Sequence, residues 1–110
     1  MEAPSGNTVE QIAHMTIALQ KAIELHSPDL VLLYGDTNST LAGALAAAHM
    51  QVPIAHVEAG LRSFNRQMPE EINRILTDSV ANYLFVTEES GMQHLKKEAD
   101  LMRKLIEVVP

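Results

Sequence analysis

Helical periodicities and short continuous apolar runs take turns along this chain, and each change of pattern marks an element. Val9, Ile12, Leu19, Ala22 and Ile23 recur at helical spacing as far as His26. Asn7 with Glu10 three residues on forms a capping-box pattern ahead of them, and Ser27-Pro28 stops the run, so a helix is predicted over about 8–26. Asp29 to Tyr34 is a short apolar run of the kind that forms a strand covered on both faces, and it ends at Gly35. Thr37 to Met50, rich in Ala and Leu, predicts a second helix, and Pro53 to Val57 a second buried strand closing on Glu58-Ala59-Gly60. Residues 61–67 have no period. Pro69 then opens a helix to about Ala81, with proline at a first-turn position.

The remaining elements follow the same logic. Tyr83 to Val86 predicts a third strand, Thr87 caps a helix to about Lys97, and the apolar run Leu105 to Val109 predicts a fourth strand ending at Pro110. Strands separated by helices require right-handed crossovers and therefore a mostly parallel sheet. The expected fold class is α/β, a doubly wound Rossmann-like sheet with helices on both faces. The chain opens on a helix and closes on a strand, which makes it read as part of a larger fold.

Composition narrows the function classes. With 110 residues, 46% hydrophobic and 20% charged, the chain is one domain or a piece of one. Eight Lys+Arg against fourteen Asp+Glu give a net charge of -6, so no basic stripe is available for nucleic acid. The absence of cysteine removes disulfides and thiolate metal sites. No signal peptide pattern opens the chain, and the longest near-apolar stretch, Leu41 to Met50, is too short for a membrane span. The expectation is a soluble, cytoplasmic protein with neither nucleic acid nor membrane as partner.

In open parallel sheets, ligands bind beyond the carboxyl ends of the strands. All three segments there carry carboxylates: Gly35 to Thr40 with Asp36, His56 to Arg62 with Glu58, and Thr87-Glu88-Glu89. Asp36 sits where a side chain can cap the next helix, and a functional role is the alternative. Thr37 and its neighbours are caps or the lining of a phosphate site at a helix N-terminus. Glu58 follows a buried run, where an ionised carboxylate needs a partner or a purpose, and Arg62, four residues on, is a candidate partner. His56 and Glu58 are two metal-ligand types at strand spacing without a third, so no metal site is expected. Glu70 and Glu71 stand in a first helical turn, where the dipole favours negative charge whatever else they do.

Taken in order, Tyr34-Gly35-Asp36-Thr37-Asn38-Ser39-Thr40, Pro53 to Ser63 with HVEAGLRS at its end, and Met68 to Asp78 with PEEINR within it resemble the UDP-N-acetylglucosamine 2-epimerases over nearly the whole chain. The resemblance implies two Rossmann-like domains of the GT-B kind. This chain would be the second half of the first domain, and a UDP-sugar would sit in the cleft between the two domains. It implies catalytic carboxylates at Asp36, Glu58 and Glu70, with Arg62, Arg74, His56 and Thr37 supporting them or touching substrate. It implies no cofactor, a homodimer in the full-length enzyme, and a place in polysaccharide precursor synthesis. The family's reaction eliminates UDP across C1 and C2 to a 2-acetamidoglucal and re-adds it with the hydrogen returned to the opposite face. Carboxylates suit that chemistry as bases and as stabilisers of developing positive charge.

Two other readings stay open on the residues alone. One is a hydrolysing 2-epimerase that releases N-acetylmannosamine and UDP. The other is a non-catalytic α/β module, inactive without the rest of a longer enzyme.

Overall fold

The computed structural model describes residues 7–108, with side chains through Leu101. The elements run α1 (Thr8–His26), β1 (Val31–Tyr34), α2 (Asn38–His49), β2 (Ile54–Val57), α3 (Pro69–Val80), β3 (Tyr83–Phe85) and α4 (Glu89–Val108). The three strands form a parallel sheet in the order β1-β2-β3, as the helical crossovers require. Tyr34 stands beside Val57, and Val57 beside Phe85, so the three strands finish level with one another. The loops that leave these ends carry the polar segments picked out in the sequence.

Local chemistry explains the element ends. The Asn7 side chain accepts the Glu10 N–H at 3.0 Å, and Ser27 closes α1 in the left-handed conformation. Thr37 caps α2 by accepting the Thr40 N–H at 3.2 Å, and the Thr40 hydroxyl donates back to the Tyr34 carbonyl at 2.8 Å. A short polar bridge therefore joins strand end to helix start.

The core is thin and made of small side chains. Ala42, Ala44, Ala46 and Ala47 of α2 are buried together with Ile54 and Ala55 of β2. Small residues let the helix approach the sheet so closely that a Cβ added at Gly43 would stand 2.8 Å from Leu33 Cδ2. Helix α2 packs on β1, β2, α1 and α3. On the other face of the sheet, Leu32, Tyr34, Tyr83 and Phe85 are exposed.

Helix α3 is turned opposite to its hydrophobicity. It buries Glu71, Asn73, Thr77 and Asp78, while Ile72, Leu76 and Val80 stay 42%, 44% and 39% exposed. A polar stripe thus faces the strand ends, and its burial is tolerated because each of these side chains is hydrogen-bonded.

The predicted fourth strand is not formed. Helix α4 continues through residues 105–108, and Val109 lies outside the described residues. The run Leu105 to Val109 looked strand-like in isolation. In the sequence, however, it completes a stripe of Met92, Leu95, Ala99, Met102 and Ile106 at spacings of three and four, with no Gly or Pro after Gly91 to interrupt it. Ten or more residues of uninterrupted helical period outweigh the β-branched pair at its end.

Candidate active site

The first crevice loop turns at Gly35, whose φ of +76° suits glycine. Asp36, next in line, leaves the capping of α2 to Thr37. Its carboxylate instead accepts from Arg74 of α3, Nη1 to Oδ2 at 3.1 Å, and its carbonyl accepts from Asn73 Nδ2 at 3.1 Å. Asn73 also donates to Asn38 Oδ1 at 2.9 Å, which fastens the loop to both helices.

Glu58 begins the second crevice loop with φ at +72°, in the left-handed region. Both its N–H and that of Ala59 donate to the Phe85 carbonyl at 3.1 Å, so the backbone is fixed while the side chain is exposed. The expected pairing with Arg62 is not made. Four residues bring side chains together on a helix but not in this aperiodic loop. Arg62 turns inward, nearly fully buried, and forks onto Glu98 of α4 at 2.7 and 2.8 Å while donating to Asp78 at 2.8 Å and to the Leu61 carbonyl at 2.7 Å. Its role is structural, in holding α4 to the loop.

His56 is fully buried on β2. Its Nδ1 meets Asp78 Oδ1 at 2.6 Å and its Nε2 meets the Gly35 carbonyl at 2.7 Å. Burial disfavours the charged ring. The hydrogen bonds to Asp78 and Gly35 and the Asp78 charge outweigh it, raising the histidine above its ordinary value despite the opposing charge of Arg62. Asp78 also accepts from the Gly60 N–H at 2.9 Å. Burial would raise its pKa, but donors from His56, Gly60 and Arg62 hold it down. One carboxylate on α3 therefore ties the first loop, through His56, to the second, through Gly60.

The adjacent glutamates of α3 part company. Glu70 is exposed in the first turn. Glu71 is buried, accepting the N–H groups of Ser63 at 3.0 Å and Phe64 at 2.7 Å and the Arg74 Nε at 2.8 Å. Burial opposes its ionisation, but these donors and the Arg74 charge bring it down to about 2. Arg74 thus spans a structural carboxylate and Asp36. Four residues after Glu70, it lies on the same helical face as that residue.

Of the residues singled out in the sequence, Asp36, Glu58 and Glu70 occupy the loops at the strand ends and the helix start beside them, with Glu58 and Glu70 open to solvent. Thr37, His56, Arg62 and Arg74 lie behind them in hydrogen-bonded or ion-paired positions. Among the described residues, no group of three or more His, Asp or Glu side chains is disposed to hold a metal ion. Sequence reasoning passed over Asn73, Asp78 and Glu98, and read Glu71 only as a first-turn carboxylate. Their signal was faint: Glu71, Arg74 and Asp78 share one face at spacings of three and four, a polar stripe that amphipathicity alone would assign to solvent. His94 of α4 faces the Gly60 carbonyl with Nδ1 at 2.8 Å and stands edge-on to Phe64.

Comparison with known proteins gives this geometry its context. The family model described as UDP-N-acetylglucosamine 2-epimerase matches residues 1–108. A UDP-N-acetylglucosamine 2-epimerase homolog of Methanococcus maripaludis is 53% identical over 94 residues, covering 86% of this chain and 26% of that protein. The UDP-2,3-diacetamido-2,3-dideoxy-D-glucuronate 2-epimerase of Pseudomonas aeruginosa is 49% identical over 109 residues, 99% of this chain and 30% of its own length. The crystal structure of the Methanocaldococcus jannaschii UDP-GlcNAc 2-epimerase in complex with UDP-GlcNAc and UDP superposes with a TM-score of 0.83 at 49% identity, over 86% of this chain and 26% of that one. The chain therefore spans less than a third of the length of these relatives. No described helix is long and apolar enough to cross a membrane. With the family model matched from end to end of the described sheet and the superposition agreeing, the chain belongs to the UDP-N-acetylglucosamine 2-epimerase family.

Proposed function

We propose that this chain forms the second half of the N-terminal Rossmann-like domain of a longer GT-B type enzyme, which epimerises UDP-N-acetylglucosamine at C2 to UDP-N-acetylmannosamine. The observation that carries the reading is the set of three carboxylates, Asp36, Glu58 and Glu70, presented around level strand ends by a rigid polar scaffold, in a chain whose relatives bear that activity in their names. The exposed apolar sheet face supports the larger size, because a face bearing Leu32, Tyr34 and Phe85 is suited to being covered by further chain.

In this reading the C1–O bond breaks with its electrons leaving on UDP, one carboxylate takes the C2 proton, and C1=C2 forms. The reverse step adds UDP oxygen to C1 while a carboxylic acid on the other face returns a proton to C2. Two faces need two proton-handling groups, and the third carboxylate stabilises the positive charge that builds as UDP departs. Arg74 keeps Asp36 in place. Most of the uridine and diphosphate contacts come from the second domain. The enzyme works as a cytoplasmic homodimer in polysaccharide precursor synthesis.

A second substrate merits the same assay, because the Pseudomonas relative, which aligns over 99% of this chain, is named for the 2,3-diacetamido glucuronate. The full-length enzyme is incubated with each nucleotide sugar in deuterated water and followed by NMR. Deuterium at C2 with intact UDP-N-acetylmannosamine supports the proposal. Free N-acetylmannosamine with UDP marks a hydrolysing enzyme, and exchange confined to the uronate marks the other substrate. No exchange with either would overturn the reading.

A further inference from the structure

The buried His56 faces two groups that only accept. Nε2 lies 2.7 Å from the Gly35 carbonyl and Nδ1 lies 2.6 Å from the Asp78 carboxylate. Asp78 in turn receives the Gly60 N–H and the Arg62 guanidinium, so it is held as an anion with nothing to donate. Both ring nitrogens must therefore carry protons for both contacts to be bonds. His56 and Arg62 are matched by Asp78 and Glu98. On α3, Glu71 is paired with Arg74, which also holds Asp36, and Glu70 is exposed; α2, packed against β2, bears no Asp, Glu, Lys or Arg and has His49 at its end; and the flanking strand partners are Leu33 and Leu84.

We infer that His56 is a positioning residue for the epimerase reaction: a buried imidazolium that, anchored on Asp78, holds the Gly35 carbonyl and so sets the carboxylate of Asp36. This rests on the functional reading above. The neutral ring cannot do the same work. With Asp78 ionised, the one remaining proton stays on Nδ1 against the carboxylate, leaving the Nε2 lone pair against the Gly35 carbonyl. The Gly35 carbonyl then loses its bond to the ring, and the first crevice loop keeps only the Gly35 N–H on the Val57 carbonyl at 3.3 Å as its hydrogen bond to β2, while the second, held by Asp78 through Gly60, stays.

The test uses the full-length enzyme with isotope-labelled histidine. NMR of the ring nitrogens is compared with kcat across the alkaline range. Both His56 nitrogens are expected to be protonated near neutral pH, and kcat is expected to fall at least about tenfold as the ring titrates, with KM changing little. Asp78→Asn supplies the control, since its amide can donate to Nδ1 and keep the neutral ring's proton on Nε2. The variant should lose that alkaline limb. A singly protonated His56 in the wild type at neutral pH, a kcat indifferent to its titration, or an unchanged limb in Asp78→Asn would each overturn the inference. If Asp78→Asn does not fold, the coincidence of wild-type titration and kcat still decides. An enzyme that epimerises neither nucleotide sugar overturns the functional reading and the catalytic part of this one, while a doubly protonated His56 would keep the clamp itself.

Discussion

Arg74 Nη1 reaches from α3 to Asp36 Oδ2 at 3.1 Å while its Nε holds Glu71 at 2.8 Å, so one guanidinium joins a structural carboxylate to a candidate catalytic one. The two contacts leave the same planar fork in different directions. A lysine ammonium reproduces the charge but not the fork. Arg74→Lys is therefore expected to behave like Arg74→Ala, lowering kcat by roughly 10–100-fold through misplacement of Asp36. Steady-state kinetics of the two variants check this, and a lysine variant near wild-type activity would contradict it.

Glu70 and Glu71 offer the sharpest contrast between neighbours. Glu70→Gln removes an exposed carboxylate, so the thermal midpoint should hold while kcat falls by about 10²–10⁴-fold, the range for a lost proton-transfer group. Glu71→Gln strips a buried anion from two backbone donors and an arginine, at a cost on the order of 3 kcal/mol. Its midpoint should drop sharply. Calorimetry alongside turnover separates the two.

Acid stability follows from the same residue. Glu71 has its pKa depressed on folding from 4.5 to about 2. Its stabilising contribution is present in full above the unfolded value and is lost as the pH falls from about 4.5 toward 2. Denaturant midpoints taken down that interval should decline less steeply in Glu71→Gln than in the wild type.

Gly60 and Gly91 meet backbone to backbone. A Cβ on Gly60, which has φ at +85°, would stand 2.4 Å from the Gly91 carbonyl oxygen; one on Gly91 would stand 2.9 Å from Val86 Cγ1 and 3.0 Å from the Ala59 oxygen. Gly60→Ala combines a backbone clash with a left-handed conformation and should cost about 2 kcal/mol or more. Gly91→Ala meets the end of a side chain as well as the Ala59 oxygen and should cost less. Thermal midpoints rank them.

Much of this arrangement was readable in advance, and the failures have specific causes. The helices over 8–26, 37–50 and 69–81 and the three parallel strands follow from periodicity, caps and Pro or Gly stops, all of which are local signals. The strand expected over Leu105 to Val109 failed because five residues were weighed without the stripe that begins at Met92. Asp36 and Glu58 were singled out from their position after strands, a rule of topology, whereas Glu70 was named only through the family resemblance. Asp78 was not found, because nothing near it in sequence shows that His56, 22 residues earlier, needs an anion. Long-range polar partners leave no periodic trace, and the Glu58–Arg62 pairing was inferred from closeness in sequence that the aperiodic loop does not turn into closeness in space.

The left-handed backbone at Glu58 sets which replacements this position can take. Residues with a side chain sit there at a cost of about 1–3 kcal/mol, and glycine at little. Replacing Glu58 with Gly should give a sturdier protein than replacing it with Ala, since only glycine relieves the backbone, and both should lack the carboxylate's contribution to turnover. Thermostability selection without an activity screen would be drawn to glycine at 58, the substitution expected to take the carboxylate out of the crevice.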